Sequence, residues 1–485
     1  MLRRLSLALA VAAATVGLAQ AEEAPLSSKT DLVTVYQEAA KNNADIAAAR
    51  ADYQARREVV PQARAGLLPN LSAGANYGDT RTNVDSPSAT LSRSGLVYQA
   101  NLSQPLFRAD RWFTYQAAKA TTQQAQLEFS ATQQNLILEV SQAYFNVLQA
   151  SDNLATAKAE EKAFERQLEQ ARERFDVGLS ARTDVLEARA GYDSARAARL
   201  TAETNLDVSY QALTRLTTQD YDSLYGISHE LPVLPPTPAS MQEWVETAAA
   251  QNLTLQASRY AIEGAEDSLR SSKAGYAPVV DAFVRYSNGG ASIAGTGQAS
   301  TDTELTSFGV ELSMPLFTGG LTTSRVREST YRLTQAEQSS EAQLRRVVES
   351  TRNLYRTVTS SVDEVAARRQ AIVSAKAALD ATQTGYEVGT RNVVDVLEAQ
   401  RNLFRTVRDY NTVRYNYIIN NLSLKQAAGT LSPQDLQDLS QWLNPNYDPD
   451  RDFIPQTTEE EARQMSMGGQ PQPPAMPANG DSSTF

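Results

Sequence analysis

The residues best placed to do chemistry in this chain are four acids in two matching pairs. Asp395 and Glu398 stand three positions apart at the start of a predicted helix, and Asp184 and Glu187 do the same about two hundred residues earlier. That spacing sets both carboxylates of a pair on one helix face, about one turn apart. Two readings are open. Acids in a first helical turn complement the helix dipole; in a symmetric assembly the same acids would stack as charged rings at a channel mouth, where such rings bind or select cations. Enzymatic chemistry has little else to draw on. The chain has no cysteine, so a thiolate nucleophile, a Cys-based metal site, a disulfide and a cysteine lipid anchor are all excluded. His229 is the one histidine; it lies beside a Pro-rich stretch without a partner motif and is assigned no role. No carboxylate pair reads as a hydrolase site, and the glycines around Gly289, Gly290, Gly295 and Gly297 lack the lysine of a phosphate loop and suit an external loop. The expectation is a non-enzyme with no cofactor and no metal. A net charge of -11, from 45 basic and 56 acidic residues, disfavours nucleic acid as a partner.

The ends of the chain indicate export. Arg3 and Arg4, an apolar run from Leu5 to Leu18 and the small-x-small triplet Ala19-Gln20-Ala21 form a secretory signal, with cleavage expected after Ala21. The run is short of the roughly 20 residues of a spanning helix. Residues 456–485, rich in Gly, Pro, Gln and Ser towards their end, are expected to be disordered.

What positions the acids is a duplicated unit. Pro69 and Pro278, Pro105-Leu106-Phe107 and Pro315-Leu316-Phe317, and Gly178 and Gly389 recur at offsets of 209 to 211 residues. Phe175-Asp176-Val177-Gly178 precedes Asp184-Val185-Leu186-Glu187-Ala188, just as Tyr386-Glu387-Val388-Gly389 precedes Asp395-Val396-Leu397-Glu398-Ala399. The first repeat is read as 22–216 and the second as 239–428, joined by a Pro-rich connector at 217–238 and followed by a segment at 429–455. Each repeat starts with a helix of about 37 residues (28–64 and 239–275) that runs up to a proline. Next comes a hairpin, 69–105 or 278–315, whose strands of about ten residues alternate apolar and polar positions. Leu71, Ala73, Ala75 and Tyr77 alternate with Ser72, Gly74, Asn76 and Gly78; Phe308, Val310, Leu312 and Met314 alternate with Ser307, Gly309, Glu311 and Ser313. Polar loops are expected at 79–94 and 288–303.

Pro105 and Pro315 are read as the first residues of long helices, where a missing N–H costs nothing. Each such helix extends about 70 residues to its glycine turn, roughly 105 Å at 1.5 Å per residue. A return helix of about 35 residues plus the incoming helix matches one long helix, so two short helices are expected to stack end to end beside each long one. Trp112, Phe113 and Tyr115 form either an interfacial aromatic belt or a helix-packing cluster. In an exported chain the hairpins fit a half-buried sheet or part of a transmembrane barrel, whose strands alternate lipid-facing and lumen-facing residues. Four strands cannot close a barrel, and an open edge cannot lie in lipid, so the barrel reading demands an oligomer: eight strands in a dimer or twelve in a trimer.

The repeated Tyr/Phe-x-Val-Gly turn with its Asp-Val-Leu-x-Ala sequel, the Pro-Leu-Phe exits and Tyr415-Asn416-Tyr417 resemble the TolC-type outer membrane factors over about residues 28–443. The resemblance implies an α+β membrane protein, in which a long antiparallel helical barrel continues a β-barrel with four strands per protomer and twelve in a homotrimer. It implies a passive exit duct in the outer membrane, projecting into the periplasm. Such a duct serves multidrug efflux or type I secretion once docked to a periplasmic adaptor and an inner-membrane transporter of RND or ABC type. It also implies that Gly178 and Gly389 form the adaptor-contacting tip, that Asp395 and Glu398 form the constriction, with Glu398 replacing a more usual aspartate, and that Arg391 and Tyr386 latch onto Asp184. A plain envelope stalk or adhesin without a duct would share the long helices but leave the hairpins unexplained.

Overall fold

The computed structural model describes residues 29–85, 88–294, 301–455 and 461. The signal segment 1–21 and, apart from Glu461, the expected disorder at 456–485 lie outside the described residues.

In the first half, α1 (Leu32–Asn42), α2 (Ala44–Arg57) and α3 (Val59–Ala65) lead into β1 (Asn70–Asp85) and β2 (Ser88–Phe107), then α4 (Ala109–Asp176) and α5 (Arg182–Thr217). A short strand, β3 (Gly226–Ile227), lies in the connector. The second half repeats the order with α6 (Met241–Gln251), α7 (Leu253–Ala274), β4 (Val279–Ala294), β5 (Thr301–Ser313), α8 (Leu321–Glu387) and α9 (Val393–Ala428). The chain closes with α10 (Pro433–Ser440), β6 (Leu443–Asn444) and α11 (Pro449–Asp452). The long helices α4 and α8 hold 68 and 67 residues, about 100 Å each.

The incoming helices expected to be continuous are broken, and the break explains how short helices stack. Asn43 caps α2 by accepting from the Ile46 N–H, and its amide donates to Leu216 O at the end of α5, while Asn42 donates to Thr217 O. Asn252 repeats this device in the second half, accepting from the Leu255 N–H and donating to Ala427 O at the end of α9. One asparagine thus satisfies an orphan donor at one helix start and an orphan carbonyl at another helix end. Hydropathy period carries no trace of this, since the apolar face continues across the break.

Two further expectations are corrected. The strands are longer than ten residues: β1 and β2 stay paired from Asn70↔Ser103 to Asp85↔Ser88, and β4 and β5 from Val279↔Ser313 to Ala291↔Thr301. Ladder hydrogen bonds belong to the backbone, so pairing persists where both faces turn polar and alternation disappears. At about 3.4 Å per residue the 16-residue β1 spans about 54 Å, well beyond an apolar membrane band of about 25 Å. Second, neither Pro105 nor Pro315 opens a helix. Pro105 lies inside β2 at a bulge opposite Asp281, and the helix starts at Ala109. Pro315 follows the end of β5 and is separated from α8 by the left-handed Gly319 and Gly320. A strand bulge tolerates a missing N–H as a helix start does. Pro69 and Pro278 directly precede the first residues of β1 and β4.

The four long strands form one antiparallel sheet in the order β1-β2-β4-β5, leaving β1 and β5 with one unpaired edge each within the protomer. Its register sorts the faces. Leu71, Leu102, Val284 and Phe308 stand in one row across all four strands, and Ser72, Asn101, Arg285 and Ser307 in the adjacent row on the opposite face. Phe283, which spoils the alternation of β4, points to the polar face, where the Arg285 guanidinium covers its ring at 4.1 Å and Gly309 leaves it room. At the sheet base Arg108 forms a two-toothed ion pair with Asp281, at 3.1 and 2.6 Å, tying the β2–α4 corner to β4.

The main hydrophobic cluster runs from the middle of the long helices, where β3 and β6 pair as a small ribbon and the connector meets the C-terminal segment, to Tyr386 and Val393 beside the second glycine turn. Leu32, Phe145, Leu224, Ile227, Tyr415 and Leu436 fill it. The far ends of the long helices are closed by Schellman turns. Gly178 has φ +79°, with Leu179 N–H donating to Arg174 O at 2.7 Å; Gly389 has φ +80°, with Thr390 N–H donating to Gly385 O at 2.8 Å.

A Cβ added at Gly178 or Gly389 would meet no neighbour, so the glycine answers only to backbone conformation. Gly389→Ala is expected to lose about 1–2 kcal/mol of stability, with Gly389→Asn retaining part of it because asparagine tolerates the left-handed region. Thermal unfolding followed by circular dichroism checks this; equal midpoints for the two variants would remove the conformational argument.

Candidate functional site

At the glycine-turn end the structure places all the sequence-selected residues, but it does not join all of them. Asp395 is the third residue of α9 and exchanges bonds with Asn392: its N–H donates to Asn392 Oδ1 at 2.9 Å, and its carboxylate accepts from the Asn392 N–H at 3.2 Å. Asp184 accepts from the Ala181 N–H at the start of α5. Both acids therefore cap helices, the plainer of the two sequence readings. Capping leaves charge to spare. Asp395 stays partly exposed, Glu398 is exposed one turn on, and Arg391 reaches Asp395 only at 4.0 Å. Glu187 is exposed on α5.

Tyr386 is buried, with its ring under the Arg174 guanidinium at 4.8 Å and its hydroxyl without a hydrogen-bond partner in the protomer. Among the described residues no bond within the protomer links Asp184 to Tyr386 or Arg391. Glu398 also lines a cleft between α4, α5 and α9, together with Arg401, Arg405, Arg408 and Glu160. Arg408 is held by Glu160 at 2.6 Å, and Arg401 lies over Phe164.

The opposite end is defined by apolar exposure. Leu71, Tyr77, Phe308, Val310 and Leu312 are exposed on one sheet face, with Leu106, Phe107, Leu316 and Phe317 forming a collar at its base. Phe308 is 82% exposed in the protomer, far from what an aqueous surface would favour. Trp112 is exposed beneath the collar and leans on Tyr115, whose ring also carries Lys119 at 4.4 Å. Among the described residues no helix is long and apolar enough to cross a membrane, and no group of acids or histidine is arranged to hold a metal ion.

Between the two ends lies a buried polar cluster that sequence reasoning missed. Asp152, in the middle of α4, is fully buried and accepts from the Tyr415 and Tyr447 hydroxyls, both at 2.7 Å. Arg414, also buried, donates to Ile227 O at 2.5 Å, to Ser228 O at 3.2 Å and to His229 Nδ1 at 2.9 Å. His229 Nε2 donates in turn to Asp452 O at 2.7 Å. Arg414 as a donor at Nδ1 requires the neutral imidazole with its proton on Nε2. Tyr417 clamps the connector through both the N–H and the carbonyl of Leu234. The cluster joins α4, α9, the connector and the C-terminal segment, which are remote in sequence. Its one advance signal was the pair of tyrosines flanking Asn416, which reads as a motif without a partner until the chain is folded.

Burial dominates the titration of this cluster. It pushes Asp152 up to about 6, against the lowering effect of Arg414 and the two tyrosine hydroxyls. Burial and then the Arg414 charge push His229 down to about 3. An unfolded histidine titrates near 6.5, so the stability carried by neutral His229 is complete above that pH and drains away as pH falls from about 6.5 to about 3. Asp152 acts with the opposite sign: its penalty is absent below about 4 and complete above about 6. His229→Gln should therefore flatten the acid limb of a stability–pH curve by up to about 1.4 kcal/mol per pH unit between pH 6.5 and 4. Denaturant midpoints across that range measure it, and parallel curves for the two proteins would count against the assignment.

Comparison with known proteins agrees with this geometry. The profile of the outer membrane efflux protein family matches residues 35–219 and 244–430, one match per repeat. The chain is 37% identical over 417 residues to the outer membrane protein TolC of Vibrio cholerae, covering 85% of this chain and 94% of that one. It is 33% identical over 471 residues to TolC of Escherichia coli, covering 95% and 94%. The alkaline protease secretion protein AprF of Pseudomonas aeruginosa is 26% identical, over 84% of this chain and 86% of that one. Among solved structures, CusC superposes with a TM-score of 0.73 at 19% identity, covering 84% of this chain and 95% of that one, and VceC of Vibrio cholerae with 0.72 at 18%, covering 82% and 96%. Two tandem repeats of hairpin and long helices, an apolar sheet face and this similarity along nearly the whole length place the chain in the outer membrane efflux protein family, as a TolC-type outer membrane channel.

Proposed function

We propose that three copies of this chain close one duct, with a twelve-stranded barrel in the outer membrane and a helical tunnel below it. The observation that carries this is the sheet: its apolar face is exposed, and β1 and β5 each leave an edge unpaired in the protomer. An open edge in hydrocarbon costs several kcal/mol per unsatisfied group, so the edges must meet between copies. Twelve strands leave a lumen lined by the polar row of Ser72, Asn101, Arg285 and Ser307, whereas eight would fill with side chains. The collar of Leu106, Phe107, Leu316 and Phe317, with Trp112 beneath it, then lies at the membrane–water boundary, as apolar and aromatic anchors do.

On this reading the duct is passive and its substrates are chosen elsewhere, by an inner-membrane transporter of RND or ABC type reached through a periplasmic adaptor. Relatives named for efflux and for protease secretion support both uses of the same exit. Export to the outer membrane would begin with cleavage after Ala21. At the tip, three copies of Asp395 and Glu398 would make two acidic rings, one turn apart. Arg391 and the unpaired Tyr386 hydroxyl would then find Asp184 only when turns of different copies, or of the assembled tip, are brought together. Exposed ties of this kind are worth about 0–1 kcal/mol each, so adaptor docking at the Gly178 and Gly389 turns could release them jointly.

Two measurements follow. In planar bilayers Asp395→Asn with Glu398→Gln should reduce cation preference, and Arg391→Ala with Tyr386→Phe should raise conductance severalfold; an unchanged conductance in the second variant would remove the latch. In the membrane, Phe308→Arg should cost about 2–4 kcal/mol and lower the yield of assembled channel, while Ser307→Arg on the other face should not. Equal yields would contradict the assignment of the faces.

A further inference from the structure

The C-terminal segment leads into a groove whose chemistry suits a peptide. Ile454 stands at the head of a cleft between α4 and α8 with α9 as its floor, lined by Ala163, Leu379, Leu403 and Phe404 and edged by Lys162 and Arg166. Two glutamines in this lining are buried, and each has an orphaned polar atom: Gln167 Nε2, a donor, and Gln400 Oε1, an acceptor. Buried amide atoms without partners are costly, and both side chains belong to the lining of this cleft. A donor and an acceptor together match a peptide backbone, which offers both a carbonyl and an N–H. They match neither a lipid chain nor a bare ion.

The chain itself supplies the nearest peptide. Glu461 accepts from Arg369 Nη2 at 3.0 Å, one turn of α8 before Ile372, where the cleft begins. From Arg369 to Gln383, the far lining residue on α8, the helix rises about 21 Å. The six residues Ala462 to Met467 reach about 20 Å when extended. Among them are Met465 and Met467, whose unbranched side chains suit irregular apolar gaps of the kind that Leu379 and Phe404 line. Upstream, Glu459, Glu460 and Glu461 are opposite in charge to Lys162, Arg166 and Arg369.

We infer that residues 462–467 dock in the α4–α8 groove of their own protomer, with Glu461–Arg369 as the hinge point and the orphaned Gln167 and Gln400 amides bonding the tail backbone. This goes beyond the channel reading and does not depend on the gate. A partner that uses the same groove would have to displace the tail.

Because the chain has no cysteine, engineered pairs report on this directly. In the full chain, Met467→Cys with Gln383→Cys is compared with Ala475→Cys with Gln383→Cys under mild oxidation. A freely moving tail tethered at Glu461 must stretch its six residues fully to bring Met467 to Gln383, whereas the longer tether to Ala475 matches that span of about 21 Å, so chain length alone gives Met467 no advantage. Docking predicts at least tenfold, an intramolecular product without dimer, and loss of the preference when Arg369→Ala is added. A ratio of fourfold or less overturns the inference. So does a cross-linked dimer, which would put the tail in a neighbouring copy, and so does a preference that appears only once a periplasmic adaptor is added, which would make the groove the adaptor's.

Discussion

Every strand in a membrane must find a partner, and that constraint organises this protein. The β1-β2-β4-β5 sheet satisfies its inner ladders and leaves two rows of backbone groups to be met from outside the protomer. Water could solvate those edges; hydrocarbon cannot. The exposed row of Leu71, Leu102, Val284 and Phe308 means that hydrocarbon is where the sheet belongs. The protomer is thus an incomplete object by construction, and its duplication supplies two hairpins where one would leave the same problem in a smaller arc.

Below the sheet the problem is length. A helix of about 100 Å has to be covered along its flank, and each repeat does so with two shorter elements set end to end. Helix ends carry unsatisfied carbonyls and N–H groups, so such a junction would be expensive if left dry. Asn43 and Asn252 resolve it identically in the two repeats. At mid-height the connector and the C-terminal segment are fastened across α4 and α9 by Asp152, Arg414, His229 and the tyrosines around them. Breaking one member of such a cluster leaves another charge or dipole buried without a partner, which makes it stiff and costly to rearrange. The Gly178 and Gly389 turns, by contrast, are closed by helix caps and exposed polar contacts over the buried Tyr386, Val393 and Ala188.

Much of this was legible before folding because repetition and periodicity are sequence properties. The recurrence of Pro-Leu-Phe and of the glycine turn marks the duplication, and the alternation from Leu71 to Tyr77 marks a two-faced strand. Where the reading failed, the cause was an interaction that hydropathy does not encode. Strand length past Asp79 depends on backbone pairing, not side chains. The helix break at Asn43 depends on a carbonyl 173 residues away. Pro105 suits a bulge as well as a helix start, and only the pairing with Asp281 distinguishes them.

By itself the sequence determined the class of the molecule: an exported, doubled, acidic chain without cysteine, whose hairpins carry one apolar face and whose long helices end in left-handed glycines. These follow from local rules, in which each residue is judged against neighbours a few positions away. Tertiary structure alone decided which distant residues share a bond. His229 and Arg414, 185 positions apart, meet at 2.9 Å, and a histidine that reads as idle becomes a neutral acceptor pinned between an arginine and a backbone carbonyl. The same step turned Asp184 and Asp395 from candidate gate charges into helix caps first, because a carboxylate bonds the nearest unsatisfied N–H before it serves anything further away.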